Sequence, residues 1–174
     1  IGNRLRAQGR AADAAQVYRE TADALGTEGV AERSLVACLR AQAALLDAEP
    51  LVPQVQRRGA LQQQQAVGGD LAGALNAGEE ALTQLAMAAA ECGAGARETV
   101  PMLRRIAAEV NAVREQTLKA ARLSGDRVTI ARAERQTNMM AQVMTALRGM
   151  DILFDAETAT SEGEKKAGGE VMAN

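Results

Sequence analysis

Three stretches of this chain space their apolar residues by four and three alternately. Leu71, Leu75, Gly78, Leu82, Leu85, Ala89 and Cys92 form the first series, and Leu103, Ile106, Val110, Val113, Thr117 and Ala120 the second. Met140, Val143, Leu147, Met150 and Phe154 form the third. An α-helix turns once in about 3.6 residues, so this spacing draws a single stripe down one face of each segment, which a strand's alternation cannot do. A helix with one apolar stripe cannot bury it alone. The stripes must pack on one another as a bundle or as stacked helical hairpins. Residue usage agrees: 47% of the chain is hydrophobic, yet it holds one Tyr, one Phe and no Trp. Alanine therefore carries much of the apolar fraction, and Ala, Leu, Gln, Glu and Arg favour helices where β-rich domains lean on β-branched and aromatic residues. The expected fold class is all-α, with six or seven helices.

Glycine and proline mark the breaks. Gly9-Arg10, the Gly26 to Gly29 stretch, Pro50 and Pro53, Gly68-Gly69, and Gly93 to Gly95 each interrupt a helical pattern. Thr99 is a candidate cap with Pro101 in the first turn of the helix that follows, and Leu123 to Asp126 separates the last long pair. The expected organisation is a helical-hairpin region over residues 1–92, a long antiparallel helical pair over 93–156 packing on it, and a disordered tail over 157–174, where apolar residues become sparse. Cys38 and Cys92 sit singly in Ala/Leu-rich surroundings and suit core packing. The methionines suit the same role.

The opening residues resemble a tetratricopeptide repeat, a pair of antiparallel helices of about 34 residues. Ile1-Gly2 stand at its Leu-Gly pair, Leu5 at its first aromatic, Gly9 at its turn, and Ala14 and Tyr18 at the small and aromatic positions of its second helix. Thr21 departs from the usual alanine, and Gly26 stands where a proline closes the unit. Residues 68–86 resemble the second half of another repeat, with Gly69 at the turn, Ala74 and Ala81 at small positions, and Gly78 in place of the aromatic. Leu35, Leu39, Ala43 and Ala48 fall 34 positions after Ile1, Leu5, Gly9 and Ala14, which hints at a unit between the two. The resemblance implies a repeat-like α-solenoid front that begins inside the first helix of a unit, with further residues upstream. It also implies that the concave face holds a peptide or partner helix, through Asn3 and Arg6 and, at the same spacing, Arg33, Arg40 and Gln63. Three arginines there would favour an acidic ligand.

Histidine is absent, which removes the commonest general base and metal ligand. There is no phosphate-binding glycine loop, and two cysteines 54 positions apart without histidine make a poor zinc site. No cofactor, metal or catalytic residue is expected, and the chain reads as a non-catalytic adaptor or scaffold rather than an enzyme. No apolar run of about 18 residues suggests a membrane span, and a cytoplasmic location is the default. Two alternatives stand beside the peptide groove. The chain would be a structural subunit held in a larger assembly, or in copies of itself, by coiled-coil-like helix packing. Or residues 97–148, with ten basic and five acidic side chains, would bind nucleic acid weakly through Arg104, Arg105, Arg114, Lys119, Arg122, Arg127, Arg132 and Arg135. The interspersed Glu109, Glu115 and Glu134 favour ordinary salt bridges instead.

Overall fold

The computed structural model describes residues 1–170, and side chains through Asp151. The chain is all-α apart from one small hairpin. Helices α1 (Gly2–Ala7), α2 (Ala11–Ala24) and α3 (Val30–Ala48) come first, then strands β1 (Gln54–Arg58) and β2 (Gln63–Val67), then α4 (Leu71–Gly93), α5 (Val100–Ser124) and α6 (Arg127–Glu170). The breaks lie where glycine and proline put them. Past Ala48, α3 tightens into one 3-10 turn, Glu49–Leu51, which contains Pro50. The Asp70 carboxylate caps α4 by accepting the Gly73 N–H at 3.0 Å, and Pro101 occupies the first turn of α5. Thr99 stands at the N-cap of α5, but its hydroxyl donates to the Ala96 carbonyl at 3.0 Å instead of capping.

Neighbouring helices run antiparallel. Ser34 and Cys92 meet at one end of the α3–α4 pair, 3.4 Å apart, and Arg114 of α5 donates to Thr137 of α6 at 2.8 Å. All three stripes face inward: Leu75, Leu82, Leu85, Ala89 and Cys92 are buried on α4, as are Leu103, Ile106, Val110 and Thr117 on α5, and Met140, Val143, Leu147 and Met150 on α6. Phe154 lies outside the residues whose side chains are described. Most of these residues and the inner face of α3 make one central cluster, while Leu75 packs with Ala121 and Ala133 in a smaller one; another joins α2 to the other side of α3 through Ala14, Ala15, Tyr18, Ala22, Val36, Leu39, Ala43 and Leu46. In the α2–α3 cluster Gly2 lets α1 lie on the Tyr18 ring, where a Cβ would come within 2.8 Å. Both cysteines are free thiols, fully buried, and burial pushes Cys38 up to about 12. A void between Leu45, Leu82, Val110 and Gln136 measures about 10 Å³, room for roughly one water.

Three features differ from the sequence reading. α3 runs unbroken through Ala43, where the 34-residue spacing had put a turn. The Gln-rich stretch is β2, paired antiparallel with β1 from Gln54↔Val67 to Arg58↔Gln63, so Gln63 lies on a strand and not on the first helix of a third unit. Two prolines and a glycine pair decide this. Pro50 and Pro53 end α3, and the chain must turn back so that the Asp70 N–H reaches the Leu51 carbonyl at 2.7 Å. Gly69 stands at that closure with φ +71°, and a Cβ there would meet the Leu51 oxygen at 2.5 Å. Lastly, α6 continues through Glu170, so most of the expected tail is helical backbone; residues 171–174 lie outside the described residues.

Candidate partner-binding trough

The outer seam between α3 and α4 is an open trough with α2 as its third wall. Along α3 its residues are Arg33, Ala37, Arg40 and Ala44; in the opposite order along α4 they are Glu91, Met87, Gln84 and Glu80. Each set repeats the 4-3-4 spacing of a helix face. The C-terminal half of α2 adds Arg19 and Asp23, and Thr27 follows. Two recesses lie in line, sharing Arg40 and Gln84, with volumes of about 140 Å³ at the Arg33 end and about 360 Å³ at the Ala44 end.

Small side chains make the floor. Ala37 and Ala44 are buried where larger residues would fill the depression, and Val36 adds an apolar edge. Met87 stands 51% exposed on the rim, a large apolar side chain that α4 presents to solvent. Gln84 is 9% exposed and donates to Glu80 at 2.9 Å, while its own carbonyl oxygen is buried with no hydrogen-bond partner. A buried amide oxygen left unpaired costs about 1–3 kcal/mol.

The structure brings two of the five expected residues together here. Arg33 donates to Glu91 at 2.9 Å and to the Glu28 carbonyl at 3.1 Å, which pins the α2–α3 loop; the Glu91 hydrogen bond raises its guanidinium above the ordinary arginine range. Arg40 donates to Asp23 at 3.2 Å and bridges α3 to α2 across the trough. Both guanidiniums therefore already have carboxylates, and the trough carries mixed charge, not a positive field.

The other three lie elsewhere. Arg6 makes ion pairs with Glu109 of α5 at 2.5 Å and with Glu49 after α3 at 3.0 Å, and the Glu109 hydrogen bond leads in raising its pKa. It ties the α1–α2 flank to the rest of the molecule. Asn3 accepts a hydrogen bond from the Tyr18 hydroxyl at 2.5 Å. Gln63 is exposed on β2. The sequence reading missed Gln84, Met87 and Ala37. Their own 4-3-4 series, set beside the α4 core stripe and along α3, was the available signal.

Four of the eight basic residues singled out in the stretch 97–148 pair with carboxylates. Arg132 pairs with Glu79 at 2.6 Å, Arg122 with Glu134 at 4.0 Å, Arg114 with Glu115 at 3.6 Å, and Arg104 with Asp151. Among the described residues no group of three or more His, Cys, Asp or Glu is placed to hold a metal ion, and no helix is long and apolar enough to cross a membrane. No protein-family model, no curated protein and no solved structure matches this chain.

Proposed function

We propose that the protein is a non-catalytic interaction module that seats a partner helix or peptide in the α2–α3–α4 trough. The observation that carries this reading is the trough itself: a depression over Ala37 and Ala44, rimmed by exposed Met87. An amphipathic ligand would place its apolar face on Val36, Ala37 and Met87, while Arg40 and Glu80 read charge at one end. Small residues on the floor allow close approach, and a methionine at the rim adapts to differently shaped partners. The resemblance of the first two helices to a tetratricopeptide repeat supports the same reading. Two buried free thiols suit a reducing compartment, and we assign the protein to the cytoplasm.

The test is quantitative capture of partners from the native source by the wild-type chain, the Met87→Glu variant and the Val128→Glu variant. Val128 is 75% exposed in the first turn of α6 and serves as control. Met87→Glu should weaken capture roughly tenfold or more, as expected for a central apolar anchor, and Val128→Glu should leave it unchanged. Equal capture by all three proteins would refute the trough as the binding surface.

A further inference from the structure

The β1–β2 hairpin is the least explained part of the molecule. Two-stranded hairpins are marginal in water unless they bury an apolar face. Here only Val55, Ala66 and Val67 are partly covered; every other strand residue is exposed. Each strand is paired on one side alone. Among the described residues no backbone hydrogen bond joins the outer edge of either strand to another element. Such an edge is a row of unpaired donors and acceptors, ready to pair with an added strand.

The two edges differ in charge. β2 reads Gln-Gln-Gln-Ala-Val and carries none, whereas β1 ends in Arg57 and Arg58. No carboxylate occurs from Leu51 through Gly69. Arg57 has no hydrogen bond or ion pair among the described residues, and Arg58 reaches only the Gln56 amide oxygen at 3.5 Å. The arginines of the trough are already paired; these two are not. Leu61, 83% exposed, stands in the turn joining the strands.

We infer that the outer edge of β1 is a docking site for an acidic, extended segment of a partner protein, which adds a third strand to the hairpin. The added backbone pairs with Gln54 to Arg58, starting after Pro53, which has no N–H to offer. Its side chains fall about 5 Å from those of β1, close enough for carboxylates to meet Arg57 and Arg58. An apolar residue at the end of the segment covers Leu61. This surface is independent of the trough, and either one stands without the other.

The probe is the hexapeptide Val-Val-Glu-Glu-Val-Val, whose adjacent glutamates face opposite sides of a strand as Arg57 and Arg58 do, titrated into the isotope-labelled full chain while backbone amide shifts and exchange are followed. Shifts and slowed exchange should concentrate in Gln54 to Arg58. Affinity should fall roughly tenfold in the Arg57→Glu/Arg58→Glu variant, whose two side chains have no carboxylate partner among the described residues to lose. The same peptide N-methylated at alternate residues keeps its charge but loses its donors, and it should not protect β1. A Lys/Val peptide should leave the hairpin unchanged. Four results would overturn the inference: no change at Gln54 to Arg58, equal binding by the N-methylated peptide, hairpin shifts with a mixed-sequence oligonucleotide but not with the peptide, or β1 protection that rises with protein concentration alone.

Discussion

The α1–α2 flank and the α3–α6 body bury their surfaces by different means. In the body, Leu45, Leu82, Leu85, Leu103 and Ile106 are each no more than 1% exposed, and large aliphatic side chains interdigitate. Where the flank meets α3, four of the eight buried residues are alanines, Ala14, Ala15 and Ala22 of α2 and Ala43 of α3, and a single aromatic ring, Tyr18, fills the space over Gly2. Alanine packing brings backbones close but removes little apolar area from water, so it yields less stability per residue. Polar ties make up part of the difference: Arg6 to Glu109 and Glu49, Arg19 to Asp47, and Arg40 to Asp23. The lesson is that the body sets global stability while the flank is held on by a ring and a few ion pairs. The trough takes two walls, α3 and α4, from the body and its third, α2, from the flank.

The largest test of this contrast is Ile106→Ala, at a fully buried site of the body. It should cost about 3–4 kcal/mol in denaturant unfolding and lower protection in every helix together. Tyr18→Ala should cost about 2–3 kcal/mol, and the loss should be local: amides of residues 1–24 exchange faster while α4 and α5 keep their protection. A uniform loss in both variants would erase the distinction between the regions.

A third change should act with the opposite sign. Gln42 lies on α3 between the central cluster and the α2–α3 cluster, fully buried, and neither atom of its amide has a hydrogen-bond partner. Gln42→Met keeps the volume and removes the unmet polar group, so it should stabilise the protein by about 1–2 kcal/mol in the same assay. A destabilised Gln42→Met protein would mean that the amide is satisfied in solution.

The smallest effect is a pH dependence. The Arg132 hydrogen bond holds Glu79 below the ordinary carboxylate range. A carboxylate with a lowered folded pKa contributes stability above its unfolded pKa, and the contribution fades as pH falls through the folded value. Wild type should therefore exceed Glu79→Gln in stability near neutral pH, and the gap should close only below the usual glutamate range. Because the pair is partly exposed, the gap should be small and should shrink in high salt.

How much of this was legible beforehand follows from the kind of signal each part carries. The three core stripes and most helix ends were readable, because a 4-3 spacing and Gly or Pro breaks are local. The hairpin was not. Gln63 to Gln65 are good helix formers and show no alternation, and their strand state comes from Pro50, Pro53 and Gly69 forcing the chain back on itself. Arg6 and Asn3 were read as free for a ligand, but Arg6 finds its carboxylates 43 and 103 positions away, a pairing that no local pattern carries. Arg33 and Arg40 do line the trough, and Gln84 and Met87 opposite them lie in a 4-3-4 series beside the α4 core stripe.

A photo-crosslinking amino acid placed at position 87, in the otherwise wild-type chain, tests the trough most directly. Crosslinking in the native source should give a discrete partner adduct, and adding Ala37→Trp, which fills the adjoining recess, should abolish it while the fold, followed by circular dichroism, persists. An adduct that survives the filled recess, or one formed equally from position 128, would contradict a partner seated between α3 and α4.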